Sequence, residues 1–239
     1  MIKIIFPGRI TPPWRRIEVR RALEPIQLDS IASTEARESL IKEVLTQQGS
    51  KLGKSALDRA VDLVDGFAFG HPQLSEQIAD YIAAQGPDRF GRAFEREVCQ
   101  EVVKPFIDQV FFEGVDPPWK DWLWAISILD WFNTSILQAY LRRLYPEDVE
   151  GKPDYYFIQE IGNLRMNQRV LWREARGDCL YGLIGKIVER CFVTLYPECY
   201  QRARRAAQGT FNAIAGKFED DPETQQEYLA QAKAYAWET

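Results

Sequence analysis

The sequence is poor in histidine: His71 is the only one among 239 residues. A metal site built from several histidines is therefore excluded, and so is a ferritin-like di-iron centre, which needs two Glu-x-x-His pairs. A Ser-His-Asp triad is left with His71 as its sole base. Because His71 lies between Gly70 and Pro72, we interpret it as a turn residue or a neighbour of a helix N-terminus. A lone general acid or base is the alternative.

Cysteine is also scarce. The four cysteines, Cys99, Cys179, Cys191 and Cys199, contain no C-x-x-C pair. In a chain of this length they do not form the pattern of a disulfide framework or of a compact zinc site. We therefore interpret them as buried structural thiols in a protein of the reducing cytoplasm. No metal and no cofactor is expected.

Long apolar runs are missing. In the Trp-rich region the longest uncharged stretch is 122–129, far shorter than the roughly 20 residues that span a bilayer. At the N-terminus the apolar run of residues 1–6 is interrupted by Pro7 and Arg9, so it is too short for a secretory signal. We expect neither a membrane span nor a leader.

Negative charge is in excess, but it is unevenly distributed. Residues 1–21 carry a formal charge of +5 and the remaining residues carry −10. A basic arm on an acidic body favours an anionic partner or an electrostatic contact within the chain. The acidic pI near 5.2 argues against nucleic acid covering the whole surface.

The N-terminal 21 residues contain the two stretches that resemble β-strands, 2–6 and 16–20. In the second stretch Ile17 and Val19 alternate with charged side chains, which is typical of a half-buried strand. Prolines between the stretches favour a stiff turn. The pattern predicts a short, basic N-terminal β-hairpin. Because two strands alone are marginally stable, the hairpin must pack on the helices or pair with another chain.

From residue 34 onward the apolar spacing is helical. It predicts a mainly α-helical protein of a single domain covering 1–239, a bundle of about eight or nine helices with short loops. Pro105 is expected to kink or split the fourth helix. The expected helices cover residues 34–48, 51–65, 72–85, 87–113, 117–144, 155–176, 178–196, 197–218 and 222–237.

The predicted helix 117–144 has the densest aromatic content of the chain. Trp124 and Trp131 share one face, whereas Trp122 and Ile126 lie on another, so the helix is apolar almost all round. Such a helix belongs at the centre of a bundle. An aromatic-lined ligand pocket and an exposed interaction site are the alternatives.

The predicted helix 155–176 carries Arg165, Arg169, Arg173 and Arg176 at spacings of 0, +4, +8 and +11. This spacing places four guanidinium groups along one side of a helix, where each can bind a carboxylate or a phosphate. The ridge has three interpretations: salt bridges to an acidic neighbour such as the 58–65 face, docking of an acidic protein, and binding of phosphate or nucleic acid.

These patterns favour a protein without catalytic residues, an accessory or adaptor subunit that binds another macromolecule through the basic ridge and the N-terminal hairpin. The partner is expected to be a protein, and the oligomeric state stays open. A nucleic-acid-associated helper is one alternative. An enzyme or carrier acting through His71 or Glu97 in an aromatic-lined pocket is the other. The predicted partner-binding or phosphate-binding residues are Arg165, Arg169, Arg173, Arg176, Arg15, Arg16 and Arg20.

Overall fold

The computed structural model describes residues 34–47, 53–85, 90–167, 169–173 and 177–236. Within these ranges the chain is mainly helical, as predicted, and contains 11 helices and one antiparallel pair of short strands. The predicted N-terminal hairpin lies outside the described residues. The elements are α1 (Thr34–Gln47), α2 (Lys54–Ala68), α3 (Pro72–Gln85), α4 (92–111), α5 (Trp119–Ile126), α6 (Thr134–Leu144), α7 (Pro146–Val149), α8 (Asp154–Met166), β1 (Val170–Arg173), β2 (Gly177–Leu180), α9 (Gly182–Leu195), α10 (Pro197–Ala215) and α11 (Pro222–Ala234).

Local capping signals account for several helix ends. Asp221 precedes α11, and its side chain accepts a hydrogen bond from the backbone N–H of Thr224, which satisfies one of the free donors of the first turn. At the start of α3, Nδ1 of His71 accepts a hydrogen bond from the backbone N–H of Leu74. His71 is therefore a neighbour of a helix N-terminus, as the sequence indicates.

The predicted helix 117–144 is two helices, α5 and α6. The chain leaves helical geometry between them, and Phe132 and Asp178 exchange two backbone hydrogen bonds of 2.7 Å in an isolated β-bridge. Asn133 then starts α6, because its side chain accepts the N–H of Ile136. A capping residue and a distant backbone partner thus divide a segment whose apolar pattern is continuous.

The prediction of a helix over residues 155–176 is also wrong for the second half of that segment. Helix α8 ends at Met166, and the chain continues as β1, which pairs with β2 in the register Val170 with Leu180 and Arg173 with Gly177. Gly177 has a φ of 108°, and a Cβ there would lie 2.6 Å from the carbonyl oxygen of Phe132. Only glycine fits this close approach at positive φ.

Helix α4 runs through Pro105 without ending. Its residues 99–103 and 107–111 form two wider, π-helical turns on either side of the short α-helical piece Lys104–Phe106. The expected split is therefore absent, and the proline lies inside a continuous helix.

The core is organised around α9. This helix contacts α2, α4, α5, α10 and β2, and its buried side chains include Val188 and Phe192. Trp119, Trp122 and Trp124 on α5 are buried in the same hydrophobic cluster, in agreement with a core role for the Trp-rich segment. Within the described residues, no helix has both the length and the apolar composition needed to cross a membrane.

Candidate functional site

Helix α8 has three chemically different sides. Phe157, Ile161 and Leu164 are buried, and they follow the i, i+4, i+7 spacing of a core-facing stripe. A second side carries Tyr156, Glu160, Asn163 and Asn167, which line a cleft. The third side carries Tyr155, Ile158 and Met166 and is open to solvent. The helix is therefore anchored on one side and available for contacts on the other two.

The buried side of α8 fixes the helix to the aromatic core. The Phe157 ring stacks on Trp122 with a centroid distance of 5.9 Å and an angle of 9° between the ring planes. Both side chains are fully buried. Aromatic pairs of this kind stabilise a core beyond the area that they bury, so the buried side anchors α8 and leaves the two other sides available for contacts.

The open side of α8 is unusually apolar. Tyr155, Ile158 and Met166 are 70%, 59% and 72% exposed, and they are three of the five large hydrophobic side chains exposed among the described residues. At 100° per residue they lie within one stripe, in which Gly162 also falls. A Cβ at Gly162 would meet no atom within 4 Å. We call this stripe of Tyr155, Ile158, Gly162 and Met166 the exposed α8 face.

The cleft side of α8 faces the loop between α4 and α5. The cleft has a volume of about 380 Å³, and Trp119 Nε1 donates a hydrogen bond of 2.9 Å to the Tyr156 hydroxyl at its wall. Burial raises the pKa of Tyr156 and outweighs the opposing effect of this hydrogen bond, so the phenol is neutral at pH 7. The cleft is lined by Gly114, Val115, Asp116, Pro117, Trp119, Tyr156, Glu160, Asn163, Leu164, Asn167 and Arg169.

Arg165, the first of the predicted site residues, lies at the end of α8 and binds Asp178. Its Nε and Nη2 atoms donate to the two carboxylate oxygens at 2.5 Å and 2.6 Å. The Asp178 side chain is 2% exposed, whereas that of Arg165 is 42% exposed. The two-point hydrogen bond to Asp178 raises the pKa of Arg165. This pair fastens α8 to β2, and the Arg165 side chain also reaches the surface.

Arg169, the second predicted site residue, lies in the turn after α8. Its Nε donates to the carbonyl oxygen of Phe111 at 2.6 Å, and its Nη2 donates to that of Glu113. Burial lowers the pKa of Arg169. The guanidinium therefore closes the end of α4, where helix carbonyl groups lack intrahelical donors, and it lines one end of the cleft.

The remaining predicted site residues do not continue a helical ridge. Arg173 lies in β1, where its backbone pairs with Gly177, and Arg176 lies outside the described residues. The prediction of four guanidinium groups along one helix side is therefore wrong, because α8 ends before Arg169. The ion pair of Arg165 is with Asp178 and not with the acidic 58–65 face. On that face, Asp65 pairs with Arg37 at 2.7 Å. Arg15, Arg16 and Arg20 also lie outside the described residues.

The candidate catalytic groups His71 and Glu97 line neither this cleft nor a second one of about 330 Å³ beside α3 and α4. The His71 ring packs against Phe106 with a centroid distance of 5.1 Å. Glu97 accepts a hydrogen bond of 2.9 Å from the Tyr81 hydroxyl. Across the part of the chain that the structure describes, no group of three or more His, Cys, Asp or Glu side chains is placed to hold a metal ion.

Sequence reasoning missed the exposed α8 face. A signal was present, because α8 carries apolar residues on two opposite sides, with Tyr155 and Ile158 out of phase with Phe157 and Ile161. A helix at the edge of a protein buries only one of two such sides. The sequence does not reveal which side that is.

No protein-family model, curated protein or solved structure is significantly similar to this chain.

Proposed function

We propose that the protein is a non-catalytic accessory or adaptor subunit, and that it associates with another protein chain through the exposed α8 face. The observation that carries this proposal is the concentration of exposed Tyr155, Ile158 and Met166 on one side of a helix whose opposite side is packed on the core. Exposed apolar patches mark interaction sites. Tyrosine and methionine, together with arginine, are enriched at protein interfaces.

The occupant that we propose for this face is the same face of a second copy. Asp154 begins α8 and Arg165 lies near its end, and both residues are exposed. They lie on the same edge of the face, because eleven residues advance a helix by about three full turns. In an antiparallel pair related by a two-fold axis, Asp154 of each copy meets Arg165 of the other.

The side chains along the face fit this arrangement. Gly162 leaves open space between Ile158 and Met166, so an apolar side chain of the second copy can approach the helix backbone closely. The Arg165 side chain binds Asp178 and is 42% exposed, so its positive charge lies within reach of a carboxylate of the second copy. The cleft lies on another side of α8, so the pairing leaves it open for a further partner.

The experiment compares the mass of the full chain in solution with that of an Ile158→Glu variant, by sedimentation velocity over a concentration series. The wild-type mass is expected to rise from 27.7 kDa to twice that value. A buried, unpaired carboxylate at the centre of the interface should weaken the association by about 100-fold or more. Because Ile158 is 59% exposed in the single chain, the thermal unfolding temperature should stay unchanged at concentrations at which the wild type is monomeric.

Leu229→Glu is the matched control, because it places the same charge on an exposed apolar residue of α11. This variant should associate like the wild type. Asp154→Lys should weaken the association by about fivefold to tenfold, with the difference reduced at high salt, because it places two cations side by side. A wild-type protein that stays monomeric, or an Ile158→Glu variant that associates normally, contradicts the proposal.

As the contact surface for a partner, the basic ridge expected from the sequence has less support than the exposed α8 face. Arg165 and Arg169 have partners within the chain, and phosphate contacts by these groups would compete with those partners. We therefore place the contact surface on the apolar side of α8, with Arg165 at its edge.

A further inference from the structure

Cys99 and Cys191 lie in contact at the centre of the core. Their Sγ atoms are 2.7 Å apart although the residues are 92 positions apart in the sequence. Both side chains are fully buried. A disulfide bond is about 2.05 Å long, so a small movement of either side chain brings the two sulfur atoms to bonding distance.

The backbone positions of the two cysteines are fixed by packed helices. Cys99 begins the first wide turn of α4, Cys99–Val103, and Cys191 lies in α9, which packs directly on that turn. Wide turns of this kind often occur at functional positions. The other two cysteines are placed differently, because Cys179 lies in β2 and Cys199 is exposed near the start of α10.

We propose that Cys99 and Cys191 are a modification site at which an intramolecular disulfide forms, tying α4 to α9. The oxidant is a low-molecular-weight disulfide such as oxidised glutathione. The thiolate of one cysteine attacks it, breaks its S–S bond and releases one glutathione thiolate. The second cysteine, as its thiolate, then attacks the mixed disulfide and releases the other. Two protons and two electrons pass from the cysteines to two glutathione molecules.

Burial determines when this exchange takes place. The neighbouring Cys99 thiol and burial both raise the pKa of Cys191, so the thiolate is scarce in the folded protein. The mixed disulfide with glutathione also requires more space than the closed core offers. Exchange therefore takes place during folding or in a transiently opened state. Once formed, the bond is shielded from reductants in the same way.

The experiment counts free thiols in the full chain. The protein is refolded with oxidised glutathione or with dithiothreitol, then denatured, alkylated with iodoacetamide and weighed by mass spectrometry. All four cysteines should be alkylated after reduction. After oxidation Cys99 and Cys191 should escape alkylation and appear as a linked peptide in the digest, whether or not the exposed Cys199 carries a glutathione adduct. Oxidation should raise the Tm by about 10 °C, because the bond closes a long loop.

The double variant Cys179→Ser/Cys199→Ser keeps the proposed pair and should lose both alkylation sites on oxidation. Cys99→Ala should form no intramolecular disulfide. If Cys99→Ala does not fold, the double variant still decides the question. Four alkylated cysteines after oxidation, a glutathione adduct at Cys199 alone, or a bond that includes Cys179 or Cys199 overturns the proposal.

Discussion

Helix α4 and the segment 155–176 are both predicted as long helices, and their outcomes are opposite. Helix α4 contains Pro105 and nevertheless continues from residue 92 to residue 111. The second segment contains no proline, and its helix α8 ends at Met166. In these two segments a local helix breaker does not decide where the helix ends.

Helix α4 continues because its turns widen and its apolar side is buried. The N–H of Lys104 binds the carbonyl oxygen of Cys99, five residues earlier, and the N–H of Phe112 binds that of Ile107. These wide turns redirect the carbonyl groups that a proline without an N–H would leave unpaired. Burial of side chains such as Phe94 and Phe106 favours the helical path on both sides of Pro105.

Helix α8 ends because its C-terminal residues have partners elsewhere. Arg165 holds the buried carboxylate of Asp178, and the N–H of Arg169 binds the carbonyl oxygen of Leu164 while its own carbonyl accepts the N–H of Tyr181. Arg169 must leave the helix for its carbonyl oxygen to accept the N–H of Tyr181. Tertiary partners therefore set both outcomes, and substitutions in α4 and α8 can test each of them.

Among the substitutions that remove a contact seen in the structure, the largest effect is expected from Arg165→Ala. The substitution leaves the Asp178 carboxylate, 2% exposed, without its two-point partner, and the loss of a buried ion-pair partner costs about 3 kcal/mol. The value is at the low end of the usual range because the Arg165 side chain is 42% exposed and water can replace part of the interaction. Urea unfolding measures the change in the free energy of unfolding.

The control is the double variant Arg165→Ala/Asp178→Asn, in which the uncompensated charge is removed. It should recover at least about 1 kcal/mol relative to Arg165→Ala. If the double variant is no more stable than Arg165→Ala, the cost does not come from the buried charge, and the explanation for the end of α8 loses its main support.

The elements whose limits depend on neighbouring residues could be predicted from the sequence. Helix α3 begins at Pro72, the first residue of the helix expected at 72–85, and α1 lies within the helix expected at 34–48. Asp221 followed by Pro222 predicts the start of α11. Caps, prolines and glycines act within one turn, so a single sequence contains the information that they need.

The features that depend on distant residues could not be predicted. The break between α5 and α6 requires the backbone of Asp178 beside Phe132, and the end of α8 requires the carboxylate of the same residue. A single aspartate thus changes the course of two segments that have continuous apolar patterns. The sequence shows its charge but not its position, and the same limit applies to the exposed α8 face.

A smaller effect is expected from Asp108→Asn in α4. Asp108 binds Lys104, on the other side of Pro105, at 2.8 Å and Lys120 of α5 at 3.0 Å. Burial alone would raise the pKa of Asp108, but the hydrogen bonds from the two lysines outweigh it and hold the pKa below the ordinary value of 3.8. The variant should lose about 1 kcal/mol at neutral pH, as measured by urea unfolding.

The pH dependence of this difference follows from the sign of the shift. The folded-state pKa is lowered, so the contribution of Asp108 is complete above 3.8 and disappears as the pH falls through the folded-state value. The stabilities of wild type and Asp108→Asn should therefore converge in acid.

Asp62→Asn, at an exposed position of α2, is the control and should behave like the wild type at neutral pH. A gap between wild type and Asp108→Asn that stays constant into acid would show that charge is not its cause.

The smallest effect is expected from Pro105→Ala. In an ordinary helix interior a proline costs about 3 kcal/mol relative to alanine, but the wide turns around Pro105 already accommodate it. The substitution also increases the conformational entropy of the unfolded chain, because alanine is less restricted than proline. This offsets part of the gain from the higher helix propensity of alanine. The free energy of unfolding should therefore change by less than about 1 kcal/mol.

The opposite substitution, Gln159→Pro in the middle of the regular helix α8, should cost about 3 kcal/mol or more. A contrary result is that Pro105→Ala raises the free energy of unfolding by as much as Gln159→Pro lowers it. In that case Pro105 strains α4, and the wide turns do not relieve the strain.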